Sequence, residues 1–362
     1  MQKEVAEMMR DFHDIYGELA DEESKEIYLN RLNYIITGNT GYMKHIVEKY
    51  VQELRWAGDY DVSGGGANVL AQALPADRPI ILYGAGNTGA WLAKDFSGLP
   101  NFIGFCDRDV NRQTNGWCGH KVISPNALLR DHREASIVLT TVMFADEMEK
   151  FLLENDIPSA NIWRIDEYVP MELPDGYFDM PFLRYEEREI FVDAGSFDLY
   201  STVQMQRHCP HLEKVFAFEP DLQNFQRMQE NKRRYDLPQA ELYNCGTWSK
   251  KETLRFHAAS TTGSRIDNHG EVAVDVDAID NIVGGVNVTF IKMDVEGAEM
   301  ESLKGAQRTI VENKPKLAIC IYHKPEDMVE IPLYIKSLVP EYRLYVRHLG
   351  NVPWETVMYA VL

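Results

Sequence analysis

"FVDAGSFDLYST", residues 191–202, sets an aspartate at the end of an apolar run and a glycine turn directly behind it. Phe191 and Val192 suit a buried, pleated strand. Gly195 supplies the backbone freedom for a sharp turn into a helix expected at 200–208. A strand that ends in an acid and turns at once into a helix is how a doubly wound α/β unit begins, and such folds bind ligands beyond the carboxyl ends of their strands.

Working outward, the alternation continues. The runs "EIFVDAG", "KVFAFEP", "AELYNCG", "VTFIKMD", "KLAICIY", "YRLYVRH" and "ETVMYAVL" read as strands, with helices expected at 200–208, 221–235, 298–313 and 328–338. "TLRFHA" and "VAVDVDA" alternate with period two and predict a hairpin inserted before the fourth strand. Seven strands ending in an antiparallel pair predict a Rossmann-like, seven-stranded doubly wound domain over 182–362. "YVPMELPDGYFDMP", 168–181, is rich in Pro and Gly and reads as a linker.

A second, smaller α/β unit precedes it at 76–168. Its strands are "RPIILYG", "NFIGFCD", "ASIVLTT" and "NIWRI", and its helices "NTGAWLAKDF", "NALLRDH" and "DEMEKFLLEND". "ILYGAGNTGAWLA", 81–93, has dinucleotide-type spacing in Gly84, Gly86 and Gly89, and Asp107 ends the next strand where a ribose-binding acid would stand. Only one mononucleotide-sized half is expected, so strand–helix packing competes with NAD or sugar-nucleotide binding as the purpose of this loop. Residues 1–75 form a helical N-terminal segment by the spacing of Met8, Phe12, Ile15, Tyr16 and Leu19, with "DVSGGGANVL" as a joint.

Charge separates the two turns. Asp193, followed by Ala194, Gly195 and Ser196, and Glu219, followed by Pro220, place carboxylates on consecutive strand ends. Glu219 can accept the hydroxyls of a ribose diol and would repel a phosphate there. The loop lacks G-x-G-x-x-G, so it is not shaped around a pyrophosphate. S-adenosylmethionine has no phosphate and carries a sulfonium and an ammonium, which suits carboxylates. Each acid alone could equally cap the helix behind it.

The 362 residues carry 37 Lys+Arg against 56 Asp+Glu, a net charge of −19, which argues against nucleic acid and anionic lipid as partners. The charged N-terminus lacks a signal-peptide core, no run reaches the ~18 apolar residues of a membrane span, and a cytoplasmic location is expected. The five cysteines, Cys106, Cys118, Cys209, Cys245 and Cys320, form no C-x-x-C pair and read as free thiols.

"FIKMDVEGAEMESLKGA", 290–306, resembles the signature of FkbM-type S-adenosylmethionine-dependent O-methyltransferases. "FVDAG", "FEP", "NCGTWSKKETLRF" and "IYHKPEDMVEIP" match the same family in order, over roughly 185–362. The chain departs from the commoner "VDVGANxG" at Phe197 and Asp198. The resemblance implies a donor site at Asp193, Gly195 and Glu219, with Asn244, Cys245 and Gly246 beside the adenine. It also implies methylation of a hydroxyl on a sugar, glycan or related metabolite. Residues 79–165 resemble the small N-terminal domain of bacterial amino-sugar acetyltransferases.

Methyl transfer to oxygen needs an aligned acceptor and a route for its proton. Asp294, Glu299 and His323 stand at or just after the fourth and fifth strand ends. His323 is the natural base because an unperturbed imidazole titrates near neutrality. Asp294 could orient it or hold the acceptor, and Lys292 could partner an acid. Glu296 and Glu299 could merely stabilise a helix N-terminus. A divalent metal on Asp294, Glu299 and His323 is an alternative without diagnostic spacing. The rival function is an NAD- or sugar-nucleotide-binding protein using residues 84–89, and a homo-oligomer is an open alternative.

Overall fold

Helix α2 (Glu22–Thr37) starts where Asp21 accepts the Ser24 backbone N–H at 2.8 Å, and it stops at Gly38, whose φ of 66° lies in the left-handed region. The structure is a computed structural model, and it describes residues 2–51, 70–71, 73–141, 144–165, 176–209, 211–257, 265–266 and 272–362. The sequence predicts helix α1 (Gln2–Glu18) and α2 in a separate segment over 1–75, but they belong to the larger unit. Residues 1–46 join 173–362 in one unit, and residues 47–172 form the other.

The physical reason is a sheet edge. Strand Arg343–His348 has one unpaired side, and the N-terminal helices cover it. Ala20 donates its backbone N–H to the Leu344 carbonyl at 2.8 Å, and Val346 donates to the Ser24 hydroxyl at 3.0 Å. The Arg347 guanidinium meets Asp21 at 2.7 Å and Glu23 at 3.2 Å. Buried Tyr28 donates to the Met328 carbonyl at 2.9 Å.

The smaller unit is an all-parallel sheet of β1 (Ile80–Tyr83), β2 (Phe102–Cys106), β3 (Val122–Ile123), β4 (Ser136–Leu139) and β5 (Ile162–Arg164) in the order β3-β2-β1-β4-β5. It is fuller than the single half expected. The order reverses between β1 and β4, so the unit has a switch point at the end where residues 84–89 turn into helix Asn87–Phe96. Helices Val110–Asn115 and Pro125–Asp131 are capped by Asp109 and Ser124. Most of the expected joint, 61–69, lies outside the described residues.

The larger unit is built on seven strands. They are β6 (Glu189–Ala194), β7 (Leu212–Phe218), β8 (Ala240–Tyr243), β13 (Phe290–Met293), β14 (Lys316–Cys320), β15 (Arg343–His348) and β16 (Thr356–Val361). Their order is β15-β16-β14-β13-β6-β7-β8, with β16 antiparallel to both neighbours, as the sequence predicts. Strands β6, β13 and β14 are buried at almost every position, as strands with both faces covered are. Between them in the chain, β9 (Gly246–Thr247), β10 (Glu252–His257), β11 (Arg265–Ile266) and β12 (Val272–Asp277) make a separate four-stranded sheet that contains the expected hairpin. The helix expected over 298–313 is two, Glu299–Gly305 and Gln307–Asn313. A Cβ on Gly305 would lie 1.9 Å from the Trp248 carbonyl oxygen, so the chain passes that carbonyl at closest approach.

Residues 168–175 of the expected linker lie outside the described residues, and in the rest Phe178 enters the core. Phe178 is 1% exposed and packs on Phe191 and Phe290. All five cysteines are free. Among the described residues no helix is long and apolar enough to cross a membrane.

Candidate active site

Strand order reverses between β6 and β13, and the carboxyl ends of β6, β7, β8, β13 and β14 lie along one edge of the sheet, where doubly wound folds bind their ligands. Asp193 on β6 and Lys292 on β13 are register partners across that reversal. Both are buried, and Lys292 Nζ lies 3.4 Å from Asp193 Oδ1 and donates to the Gly195 carbonyl at 2.8 Å. Burial alone would lower the lysine pKa. The charges of Asp193 and Asp294 outweigh it and hold the pKa above its ordinary value.

Asp193 Oδ2 accepts the hydroxyls of Ser196 at 2.9 Å, Ser201 at 2.6 Å and Thr202 at 3.0 Å. The sequence reading did not single out Ser201 and Thr202, though both stand in the quoted stretch. Asp193 thus binds its own turn to the first helix turn and is wholly buried. Gly195 is needed there: its φ is 71°, and a Cβ would lie 1.8 Å from the Asp294 carbonyl oxygen. Ala194, buried at the strand end, pairs with Phe218 of β7.

The turn after β7 is braced from both sides. Glu219 accepts the Phe197 N–H at 3.1 Å and the Asp221 N–H at 2.8 Å, one on each oxygen. Burial pushes its pKa up to about 7, partly opposed by the Asp221 amide. The Asn224 side chain supplies a further hydrogen bond to this carboxylate, which has about four acceptor positions in all. Asn244 Nδ2 donates to the carbonyls of Glu219 at 2.9 Å and Pro220 at 3.2 Å, tying the β7 and β8 ends together. Gly246 packs closely on Val276, whose Cγ1 lies 3.1 Å from where a Cβ would be, with Pro220 at ordinary contact distance, 3.8 Å. Cys245 is half-buried, and burial raises its thiol to about 11, which keeps it neutral.

Beyond β13 and β14 the structure gathers the other expected group. Asp294 accepts hydroxyls from Tyr177 at 3.1 Å and Tyr322 at 3.2 Å. Desolvation would raise its pKa, but Lys292, His323 and the two tyrosines hold it below the usual carboxylate value. His323 Nε2 lies 3.5 Å from Asp294 Oδ1 and 3.5 Å from Glu296 Oε2. Its Nδ1 lies 2.9 Å from Glu299 Oε1, an ion-pair distance without the alignment of a hydrogen bond. Glu299 Oε1 also takes the Val295 N–H at 2.9 Å, so the helix-start role holds alongside the contact with histidine.

This setting changes the chemistry expected of His323. Burial favours the neutral ring, but Glu299, Asp294 and Glu296 outweigh burial and raise its pKa to about 9. The three carboxylates thus favour the protonated ring over the neutral imidazole expected from the sequence. Tyr177 was not found from sequence because it stands in the Pro/Gly-rich stretch read as a linker.

The glycine turn of the smaller unit is organised differently. Gly84 has a φ of 115° and a Cβ there would meet Thr140 Oγ1 at 2.5 Å, while a Cβ on Gly89 would meet the Gly84 carbonyl at 2.2 Å. A Cβ on Gly86 would meet nothing within 4 Å. Asp107 accepts the Ala85 N–H at 2.7 Å and the Asp109 N–H at 2.9 Å, and it lies 3.3 Å from Arg112. Two of the three glycines serve strand–helix packing, and the acid holds the loop.

Residues 190–353 match the family model described as Methyltransferase FkbM domain. Methyltransferase 1 of Beauveria bassiana (strain ARSEF 2860) is 27% identical over 33% of this chain and 59% of its own length, so the match spans under two thirds of that relative. Among solved structures, a methyltransferase FkbM from Methylobacillus flagellatus KT aligns over 82% of this chain and 92% of that one, at 22% identity and a TM-score of 0.47. TrmK of M. capricolum, solved with S-adenosyl-homocysteine, aligns over 48% of this chain and 62% of that one, at 9% identity and a TM-score of 0.31.

Proposed function

We propose, from the membership of residues 190–353 in the FkbM family of S-adenosylmethionine-dependent methyltransferase domains, that the protein moves the donor's methyl group to a hydroxyl of a sugar, glycan or related small metabolite. The donor supplies an electrophilic methyl group already activated by a sulfonium. Glu219 binds the ribose diol through its remaining acceptor capacity, and the Asn244–Gly246 turn lines the adenine side. This sheet edge gives no phosphate-cradling glycine loop, in keeping with a cationic ligand.

The observation that carries the acceptor half is Asp294, ionised and held by two tyrosine hydroxyls at the same edge. A fixed carboxylate there aligns an acceptor hydroxyl for in-line attack. His323 lies 3.5 Å from it and is itself 2.9 Å from Glu299. As the O–CH₃ bond forms and the methyl–sulfonium bond breaks, the acceptor's proton passes to the Asp294 carboxylate and the donor leaves as a neutral thioether.

The test is transfer of labelled methyl from S-adenosylmethionine into a panel of sugars, nucleotide sugars and glycans. Asp294→Asn should lower turnover about 10²-fold or more with donor affinity nearly unchanged. A folded Asp294→Asn protein that turns over at the wild-type rate would remove the carboxylate from the acceptor site.

A further inference from the structure

We infer that Asp294, Glu299 and His323 hold a divalent first-row cation, with Glu296 beside the imidazole. His323 is nine-tenths buried, with a side-chain exposure of 10%, yet its Nε2 makes no hydrogen bond. That nitrogen points between two carboxylate oxygens, Asp294 Oδ1 and Glu296 Oε2, each 3.5 Å away. The spacing is too long for hydrogen bonds. It is close to the edge of an octahedral shell, where ligands about 2.1 Å from an ion stand roughly 3 Å apart.

The surroundings match what a metal-binding imidazole needs. The ring's other nitrogen lies 2.9 Å from Glu299 Oε1 without a hydrogen bond, so carboxylates stand on both sides of the imidazole. Glu299 is wholly buried and its second oxygen has no hydrogen bond. Ligand atoms of Asp294, Glu299 and His323 all lie within 4.8 Å of one another. Tyr177 and Tyr322 anchor Asp294, so the side chain that would contact an ion is already held.

One nitrogen and two carboxylate oxygens form a hard-to-borderline set. It suits Mn²⁺ better than a thiolate-seeking ion, and Mg²⁺ would prefer oxygen throughout. An ion there would offset the local negative charge and lower the pKa of a hydroxyl that reached it. The inference uses the strand ends of the methyl-transfer reading without resting on it, since cation binding requires neither donor nor acceptor.

The experiment is titration of the full-length, chelator-treated protein with Mn²⁺, followed by loss of the free-ion paramagnetic resonance signal and by calorimetry. One site per chain with a Kd below about 1 mM is expected. Glu299→Gln should weaken it at least 10-fold, and Glu296→Gln about 10-fold. Glu154→Gln, an exposed acid in the smaller unit, should change nothing. Glu296 is 28% exposed, so its variant keeps the test usable if His323→Ala fails to fold. Absence of a site below 1 mM, or wild-type affinity in both Glu296→Gln and Glu299→Gln, overturns the inference. Mn²⁺ binding without methyl transfer to any acceptor breaks the proposed function alone. Methyl transfer in a protein that binds no Mn²⁺ breaks the cation site alone.

Discussion

The chain contains two strand–glycine–helix turns at two topological switch points, and only one is surrounded by reactive groups. At residues 84–89 the glycine spacing is complete, but Gly84 and Gly89 face their own unit's atoms and Asp107 is bound to the loop amide. At residues 193–199 the spacing is incomplete, yet Asp193, Lys292, Glu219, Asp294 and His323 come to adjoining strand ends. A cluster of histidine with two or more carboxylates occurs, among the described residues, only beside the second turn. Glycine spacing reports how closely backbones approach. Chemistry is reported by the side chains gathered from strands far apart in sequence.

The largest effect expected from this contrast is at Gly195. Gly195→Ala puts a Cβ 1.8 Å from a backbone oxygen at a φ of 71°, and neither partner is a flexible side chain. We expect a loss of about 4 kcal/mol or more, with the donor site lost together with the fold of the larger unit. Thermal unfolding and donor calorimetry check it. A variant with the wild-type Tm would show that the junction of β6 and β13 can yield, and the account of the close approach would fail.

The next effect sharpens the difference between the two acids. Glu219→Ala should weaken donor binding by about 2–3 kcal/mol, since a charge-assisted contact is lost. Asp107→Ala should leave donor affinity unchanged. The pH dependence has a definite sign. Burial raises Glu219 to about 7, and only the ionised form accepts two ribose hydroxyls, so donor affinity is full above that value and falls as pH drops through it. Without donor the sign for stability is the reverse. The folded state holds the Glu219 proton more tightly than the unfolded chain, so the fold loses up to about 3 kcal/mol as pH rises from 4.5 to about 7. Calorimetry between pH 5.5 and 8.5 decides it. Flat affinity in wild type, or a slope that persists in Glu219→Ala, would assign the titration elsewhere.

Much of the fold was legible because it rests on local pattern. The helix Tyr200–His208 and the antiparallel pairing of β15 and β16 follow from periodicity and chain order. The docking of α1 and α2 on β15 was not legible, since Asp21, Ser24 and Tyr28 meet partners some three hundred residues away. The candidate site divides in the same way. Strand ends placed Glu219, Asp294 and His323, but the charge state of His323 depends on three carboxylates that only the fold brings together. Tyr177 was hidden because a Pro/Gly-rich stretch carries no periodic signal, although its end packs in the core.

The smallest expected effect tests the first turn on its own ground. Gly86 precedes helix Asn87–Phe96 with a φ of −94°, which any residue adopts, and a Cβ there meets open space. Gly86→Ala gains from a less flexible unfolded chain, about 0.4–1 kcal/mol, and loses a similar amount because alanine is a poor helix N-cap. The net change in stability should stay within about 0.5 kcal/mol. Gly84→Ala and Gly89→Ala, which meet Thr140 and the Gly84 carbonyl, should destabilise the smaller unit clearly. Donor affinity should be that of wild type in a folded Gly86→Ala protein, because Glu219 and its turn belong to the other unit. If that variant lost donor binding, the division between a packing turn and a binding turn would be wrong. Thermal stabilisation of wild type by NAD or a nucleotide sugar, abolished in Gly86→Ala, would instead make the first turn a second ligand site, with the open face of Gly86 as its floor.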